Sequence, residues 1–528
     1  INEAVCEGCG DCGEKSSCLS VQPVETEFGR KTSIHQSSCN KDFTCLDGDC
    51  PAFIEVIPGG ALPERSALAI AEIQGDQVEP ERLDEGNVLM IGIGGTGVVT
   101  VNQLLATAAL LDGKEAHGLD QTGLAQKGGP VVSNLKIRRP DGELDLGEAN
   151  KIATGEADAY IVFDLLSGTN PANLEKAMPG RTVALVSSSK VPTGAMVRDT
   201  SAEYPEWSAL QDSIDSATIA EKNVYYDAGN LSDNLFRSHM PANIIVLGSA
   251  YQSGVVPISA TAIERAIELN GVAVDMNTQA FRIGRQIVIE PGFIESLGIE
   301  ETGQTRRQTK VSQAIGSLIQ EVPEPSEELE RLLKIRASEL VDYQSEKYAK
   351  KSLAKVGEAR KAELAVSKDS RLSEAYARYL YKLMAYKDEY EVARLHRSKD
   401  FHQAIRDQFG DKSKITYKLH PPAMRRLGLD QKIGLGRSGD FAFAVLRRMK
   451  FLRGTPLDVF GNTAHRKIER GLVDEYQELI DRVLIDLSPA TYGRAVELAE
   501  LPDVIRGYEG VKEANVEKFR QLAKEILG

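Results

Sequence analysis

The chain is 528 residues long, 42% hydrophobic, 27% charged and 6% aromatic, the composition of a globular protein with roughly two to four domains. Its formal net charge of −14 argues against a nucleic-acid partner, which would want a basic face. No stretch approaches the roughly 20 apolar residues of a membrane span, and Cys6, Cys9 and Cys12 sit where a secretory signal would be apolar, so a cytoplasmic protein is expected. The first residue is Ile1 rather than Met, which leaves open that this is a piece of a longer polypeptide.

All seven cysteines lie between Cys6 and Cys50. An odd, crowded set of thiols points to metal rather than to a disulfide framework. Residues 1–57 are therefore expected to form a small ferredoxin-like α+β iron–sulfur module. The run Cys6-Glu-Gly-Cys9-Gly-Asp-Cys12 places three thiolates at two-residue gaps with glycines between, and Cys50 is followed by Pro51. In bacterial ferredoxins such a triplet takes its fourth ligand from a distant Cys-Pro, so Cys6, Cys9, Cys12 and Cys50 are expected to hold one [4Fe–4S] cluster. A structural zinc site is the bland alternative, although three ligands so close together strain a single tetrahedral ion. Cys18, Cys39 and Cys45 remain. They could hold a second cluster, with Asp42, Asp47, Asp49 or His35 as a fourth ligand, or be vestigial. Between the two groups Val24–Ile34 alternates around Gly29 and reads as a β-hairpin.

Residues 58–85 read as a linker, rich in proline, glycine and acidic side chains. From residue 86 to about 320 a doubly wound parallel α/β domain is expected, with buried strands at Asn87–Ile91, Tyr160–Phe163, Thr182–Ser187 and Asn243–Leu247, and a possible strand ending at Asp120. Gly92-Ile-Gly94-Gly95-Thr96-Gly97 joins the first strand to a helix over Val98–Leu111, the context that gives G-x-G-x-x-G meaning. Asp120 stands where an acidic residue would bind an NAD ribose. Gly92–Gly97 and the loop Gln121–Pro130 belong at the carboxyl edge of the sheet. The glycines read either as a phosphate cradle at a helix N-terminus or as tight strand–helix packing without a ligand.

Pro323 and Pro325 mark the start of a mostly helical region, residues 325–528. Leu329, Leu332, Leu333, Ile335 and Leu340, then Leu372, Tyr376, Tyr379 and Leu380, then Val473, Tyr476, Leu479 and Ile480 recur at helical spacing and read as core stripes. Gly434–Gly439 repeats G-x-G-x-x-G with no clear strand entering it, and reads as a loop before a helix over Phe441–Leu452. His396, His402, His420 and His465 share no ligand spacing.

The cysteine string, Val24–Lys31 and Ser37-Ser-Cys-Asn-Lys-Asp-Phe43 resemble the fused form of indolepyruvate:ferredoxin oxidoreductase, among the 2-oxoacid:ferredoxin oxidoreductases. Gly92–Thr100 with Gln126-Lys127-Gly-Gly-Pro-Val-Val-Ser-Asn134 resembles the gamma domain of that family, and Arg453–Gly461 with Leu501–Gly507 its C-terminal helical domain. The resemblance implies thiamine diphosphate with magnesium, oxidative decarboxylation of an aryl-type 2-oxo acid, transfer of the acyl group to coenzyme A, and electrons leaving through iron–sulfur clusters to ferredoxin, in a homo-oligomer. The thiamine-binding half of the family, with its Gly-Asp-Gly and downstream Asn, has no counterpart here, so the chain by itself is expected not to decarboxylate anything. On the resemblance, Gly94, Gly95, Thr96 and Lys127 would line the coenzyme A side of the site, or only pack against the thiamine half. Two readings compete: an NAD(P)–ferredoxin reductase-like chain using Gly92–Gly97, and a zinc-ribbon interaction protein.

Overall fold

The computed structural model describes residues 1–60, 73, 77–123, 129–140, 149–199, 202–299, 312–420 and 431–527. Its eleven described strands are β1 (Val21–Thr26), β2 (Gly29–Ile34), β3 (Ile54–Ile57), β4 (Gly86–Ile93), β5 (Glu115–Thr122), β6 (Pro130–Arg138), β7 (Ala159–Val162), β8 (Val183–Ser187), β9 (Val224–Tyr226), β10 (Lys414–Leu419) and β11 (Ile433–Leu435). They form three sheets, ordered β1-β2, β11-β10-β3 and β5-β6-β4-β7-β8-β9. Among the described residues no helix is long and apolar enough to cross a membrane.

β4 explains why an unbroken apolar run becomes a strand here. Val88 and Met90 face one core, Leu89 and Ile91 the other, and all four are fully buried. Helices Val98–Leu111, Ala242–Gln252, Ala260–Asn270 and Val274–Ile289 contribute to the first core, and Trp207–Asp215 to the second. A sheet covered on both faces selects apolar residues at every position.

The sheet corrects three expectations. It is not wholly parallel: β4, β7, β8 and β9 run parallel, whereas β6 is antiparallel to β4 and β5 antiparallel to β6. The strand carrying Asp120 is therefore a sheet-edge strand, separated from β4 by β6. Asn243–Leu247 is helical, inside Ala242–Gln252, and not a strand. Its residues from Ile244 to Tyr251 are all buried, and a helix buried all round has the same apolar run as a buried strand. The loop drawn over Gln121–Pro130 gives up its ends to β5 and β6, while residues 124–128 lie outside the described residues.

Much of the linker, residues 61–72 and 74–76, lies outside the described residues. The stretch that follows is held down: Arg82 donates to the Ile258 carbonyl at 2.6 Å, and Gln77 donates to the Arg282 carbonyl at 3.1 Å.

The helical region builds its own core. Leu329, Leu333, Leu340, Val356, Tyr376, Leu380, Tyr476, Leu498 and Phe519 meet at its centre. The helix Gln313–Gln320 adds Ile315 and Ile319, so this core begins ahead of Pro323. Helix starts are set by hydroxyl caps: Ser326 accepts from the Leu329 amide, Ser345 from Tyr348 and Thr463 from Arg466. Arg453 is locked inside by two bonds to Asp388, at 2.5 and 2.8 Å, and by stacking 3.7 Å over the Tyr343 ring.

The cysteine module is stitched into this helical region. β3 pairs antiparallel with β10, Ile54 opposite Tyr417 and Ile57 opposite Lys414. The fully buried His396 accepts from Asn2 Nδ2 at Nδ1, 3.2 Å, and donates from Nε2 to the Pro51 carbonyl, 2.8 Å. Tyr508 donates to the Val5 carbonyl at 2.6 Å, and Lys387 to the Cys6 carbonyl at 2.8 Å.

Two outcomes follow. Arg453→Ala strands a buried carboxylate at Asp388, and is expected to cost about 3–5 kcal/mol, seen as a lower urea midpoint. His396 is kept neutral, because burial presses its pKa down to about 4. The unfolded imidazole titrates near about 6.5, so the unfolded chain holds more protons between those values and stability falls as pH drops through that window, by up to about 1.4 kcal/mol per unit. Thermal melts from pH 6.5 to 5 should show this slope in the natural protein, and a shallower one in His396→Gln.

Candidate functional site

The first cysteines sit on a loop bent by two glycines, and the short helix Asp11–Ser16 follows. Gly8 and Gly10 adopt φ of 63° and 82°, a region closed to most side chains. A Cβ on Gly8 would lie 2.1 Å from the Arg30 carbonyl oxygen, so the hairpin β1–β2 itself demands glycine there. The bend aims the Gly8 amide at Cys6 Sγ, 3.3 Å away. The far end of the module folds back on this helix. The Asp49 amide donates to Asp11 Oδ2 at 2.6 Å, and Gly48 lies so close that a Cβ would be 3.1 Å from the Cys12 backbone. Cys50 is thereby brought to the triplet.

All seven cysteines are free thiols. Burial pushes the Cys9 thiol up to about 12 and Cys12 higher still, with Cys50 and Cys6 as the nearest like charges in both cases. Cys50 is pushed up to about 11 by burial, eased by Lys432. Cys45, also pushed up to about 11 by burial, feels Cys39 and then Cys18. Cys12 feels Cys50, Cys6 and Cys9 most and Cys45 after them, and it packs in one cluster with Cys18, Cys45 and Cys50, so the two groups of thiols adjoin.

A buried set of this kind keeps its protons unless a cationic group compensates the thiolates. Among the described residues, the one trio of potential ligand atoms lying within 4.8 Å of one another is His35, Asp233 and His239, with no cysteine in it. An amide directed at a cysteine sulfur is the donor that an iron–sulfur ligand set calls for, so the chemistry of these residues fits such a group.

His35 points elsewhere than to the second group. Its Nδ1 bonds Ser38 Oγ at 2.9 Å, and its ring lies edge-on to His239 at 5.1 Å, across to the α/β domain. Of the four named candidates for a fourth ligand, Asp42 is the one whose charge Cys45 feels. Its Oδ1 accepts from the Thr44 amide and hydroxyl at 3.2 and 3.0 Å.

The glycine loop of the α/β domain is busier than the sequence suggests. The Gly94 amide donates to the Gly129 carbonyl at 2.7 Å and the Thr96 amide to Ile93 at 3.3 Å, so these two are not open to a phosphate. Asn243 Nδ2 holds the Thr96 carbonyl at 2.9 Å. A Cβ on Gly92 would strike Val98 Cγ2 at 2.6 Å, which makes this glycine a packing requirement. Gly95 and Gly97, at φ of 86° and 94°, supply the turn, and the space above Gly95 is open. Lys127 lies outside the described residues. Asp120, exposed on the sheet-edge strand, accepts at Oδ1 from Asn102 Nδ2 at 2.8 Å and from the Ser133 hydroxyl.

The second glycine motif differs from expectation too. Strand β11 does enter it, and the helix starts at Arg437 rather than Phe441. A Cβ on Gly439 would sit 2.9 Å from Leu435 Cβ and 3.1 Å from Tyr417, so this glycine also serves packing. Sequence reading missed Lys432, Lys387 and His396 as neighbours of the cysteines. Their separation of more than 330 residues from Cys50 left no local pattern to find.

Comparison with known proteins gives matches to two stretches of the chain. A family model described as pyruvate ferredoxin/flavodoxin oxidoreductase matches residues 87–287, and a family of unknown function (DUF6537) matches residues 329–525. The indolepyruvate oxidoreductase subunit IorB of Archaeoglobus fulgidus is 24% identical over 200 residues, 38% of this chain and 92% of that protein. IorB of Pyrococcus horikoshii is 25% identical over 211 residues, 38% of this chain and 95% of that protein. The solved pyruvate oxidoreductase subunit PORC of Thermotoga maritima aligns with 39% of this chain and 97% of its own at 20% identity, with a TM-score of 0.29. Residues 87–287 thus match the pyruvate ferredoxin/flavodoxin oxidoreductase family model, and this match together with the IorB subunits supports a gamma-type portion of a 2-oxoacid:ferredoxin oxidoreductase in that stretch.

Proposed function

We propose that this chain is the electron-transfer and gamma portion of a thiamine-diphosphate-dependent oxidoreductase that converts an indolepyruvate-type 2-oxo acid to an acyl-CoA and passes the electrons to ferredoxin. The observation that carries the reading is the convergence of Cys6, Cys9, Cys12 and Cys50 within one buried module, beside a domain of this family. A [4Fe–4S] cluster there would supply a one-electron relay. The chain's own residues do the rest. The Gly8 amide donates to a ligand sulfur, and the buried Glu7–Lys387 ion pair braces the backbone that carries Cys6. Burial alone would raise the Glu7 pKa, yet Lys387, Lys31 and Lys512 hold it down at about 2. Cys18, Cys39 and Cys45 would hold a second, smaller or mixed-ligand cluster. Thiamine diphosphate and magnesium belong to a partner half or chain. Gly95 and Lys127 are assigned to the coenzyme A side, with the open face of Gly95 as the support within the described residues, while Gly94 and Thr96, whose amides are already bonded, shape that loop.

Anaerobically purified protein should be brown, with broad visible absorption that bleaches with dithionite but not with NADH. Cys9→Ser should lower iron and acid-labile sulfide by a cluster's worth, and Cys18→Ser should leave the first cluster in place. A colourless protein carrying zinc, or bleaching by NADH, refutes the reading. In the complete enzyme Lys127→Ala should raise KM for coenzyme A and leave KM for the 2-oxo acid little changed.

A further inference from the structure

We propose that Lys432, supplied by the C-terminal region, is the resident counter-charge of the iron–sulfur centre at Cys50 and holds its reduction potential up. The inference rests on the function proposed above, and it gives the C-terminal region a part in electron transfer as well as in packing.

Lys432 stands immediately before β11. The ladder fixes it in place: Ile433 pairs with Leu419, and the Lys418 amide donates to the Phe53 carbonyl at 3.0 Å. Phe53 is three residues past Cys50 and packs with Cys12, Cys18, Cys45 and Cys50. The Lys432 ammonium lies 4.5 Å from the centre of the Phe53 ring. Its Nζ is buried and donates to no partner among the described residues. A buried ammonium with three unused donors is costly, and it is retained where an anion answers it. The charges that support it against burial are, in order, Cys50, Asp49, Cys12 and Asp11. Cys50 heads these anions, with the carboxylates of Asp49 and Asp11 beside the cysteines. A cubane held by four thiolates is anionic, and reduction makes it more so. An adjacent fixed cation favours the reduced form and raises the potential; nearby charge is one of the levers a protein has on such a centre.

The test is a redox titration of full-length protein, purified anaerobically with its clusters, followed by electron paramagnetic resonance. Lys432→Met should keep its iron and show a midpoint lower by about 59 mV or more, a tenfold change in a one-electron equilibrium. Lys432→Arg should restore most of the difference, because a charge matters here and mere filling of space does not. If Lys432→Met loses iron, Lys432→Gln, which keeps a donor without the charge, carries the measurement with the same expected drop. An iron-loaded Met or Gln variant with the natural midpoint, or an Arg variant as low as the Met variant, overturns the proposal alone. Natural protein without an iron–sulfur signal overturns the function on which it rests.

Discussion

The backbone of Ile54–Ile57 pairs with Lys414–Tyr417, and through that ladder a module of fewer than sixty residues joins a strand more than 350 residues later. A module this small buries too little apolar surface to be stable alone. It is also poor in large hydrophobic side chains, with Val5, Val21, Ala52 and Phe53 as its buried apolar residues. The ladder, the Tyr508 and Lys387 bonds to the Val5 and Cys6 carbonyls, and the His396 bond to the Pro51 carbonyl supply the missing order. The three side-chain bonds act on the backbone of Cys6 or of a residue next to Cys6 or Cys50. The tertiary contacts that fold the module are therefore the same ones that place its sulfurs.

The seat of the module and the helical region around it are unusually polar for an interior. Glu7 meets Lys387, Asp388 meets Arg453, and Glu469 is shared by Arg466 and Lys512. Burial alone would neutralise Glu469, but the Lys512, His465 and Arg466 charges keep it ionised, well below the ordinary carboxylate range. Such pairs add little net stability compared with apolar packing, yet each is expensive to break singly. Their effect is to make one packing geometry of the helical region far better than its neighbours, and through Glu7 and Lys387 one seat for the module.

The α/β domain shows the opposite economy. Its glycine loop joins strand to helix in the phosphate-binding pattern, but the amides of Gly94 and Thr96 already serve the sheet edge and the turn. The antiparallel hairpin β5–β6 occupies the flank on which a dinucleotide fold would place its second parallel strand. The domain keeps the packing virtues of the motif, with the space above Gly95 left open.

Local chemistry was readable from sequence: the two-residue cysteine spacing, the hairpin turned at Gly29, the buried runs at β4, β7 and β8, and the leucine and tyrosine stripes of the C-terminal helices all depend on neighbours a few residues apart. The run Asn243–Leu247 was not, because a helix buried on every side and a buried strand select the same residues. Nor was β6, whose buried Ser133, Asn134 and Lys136 hide its alternation. Lys432, Lys387 and His396 carried no pattern at all. Their importance comes from long-range pairing of β3 with β10, which brings together segments that share no periodicity, and a sequence records side chains but not which distant backbone they will meet.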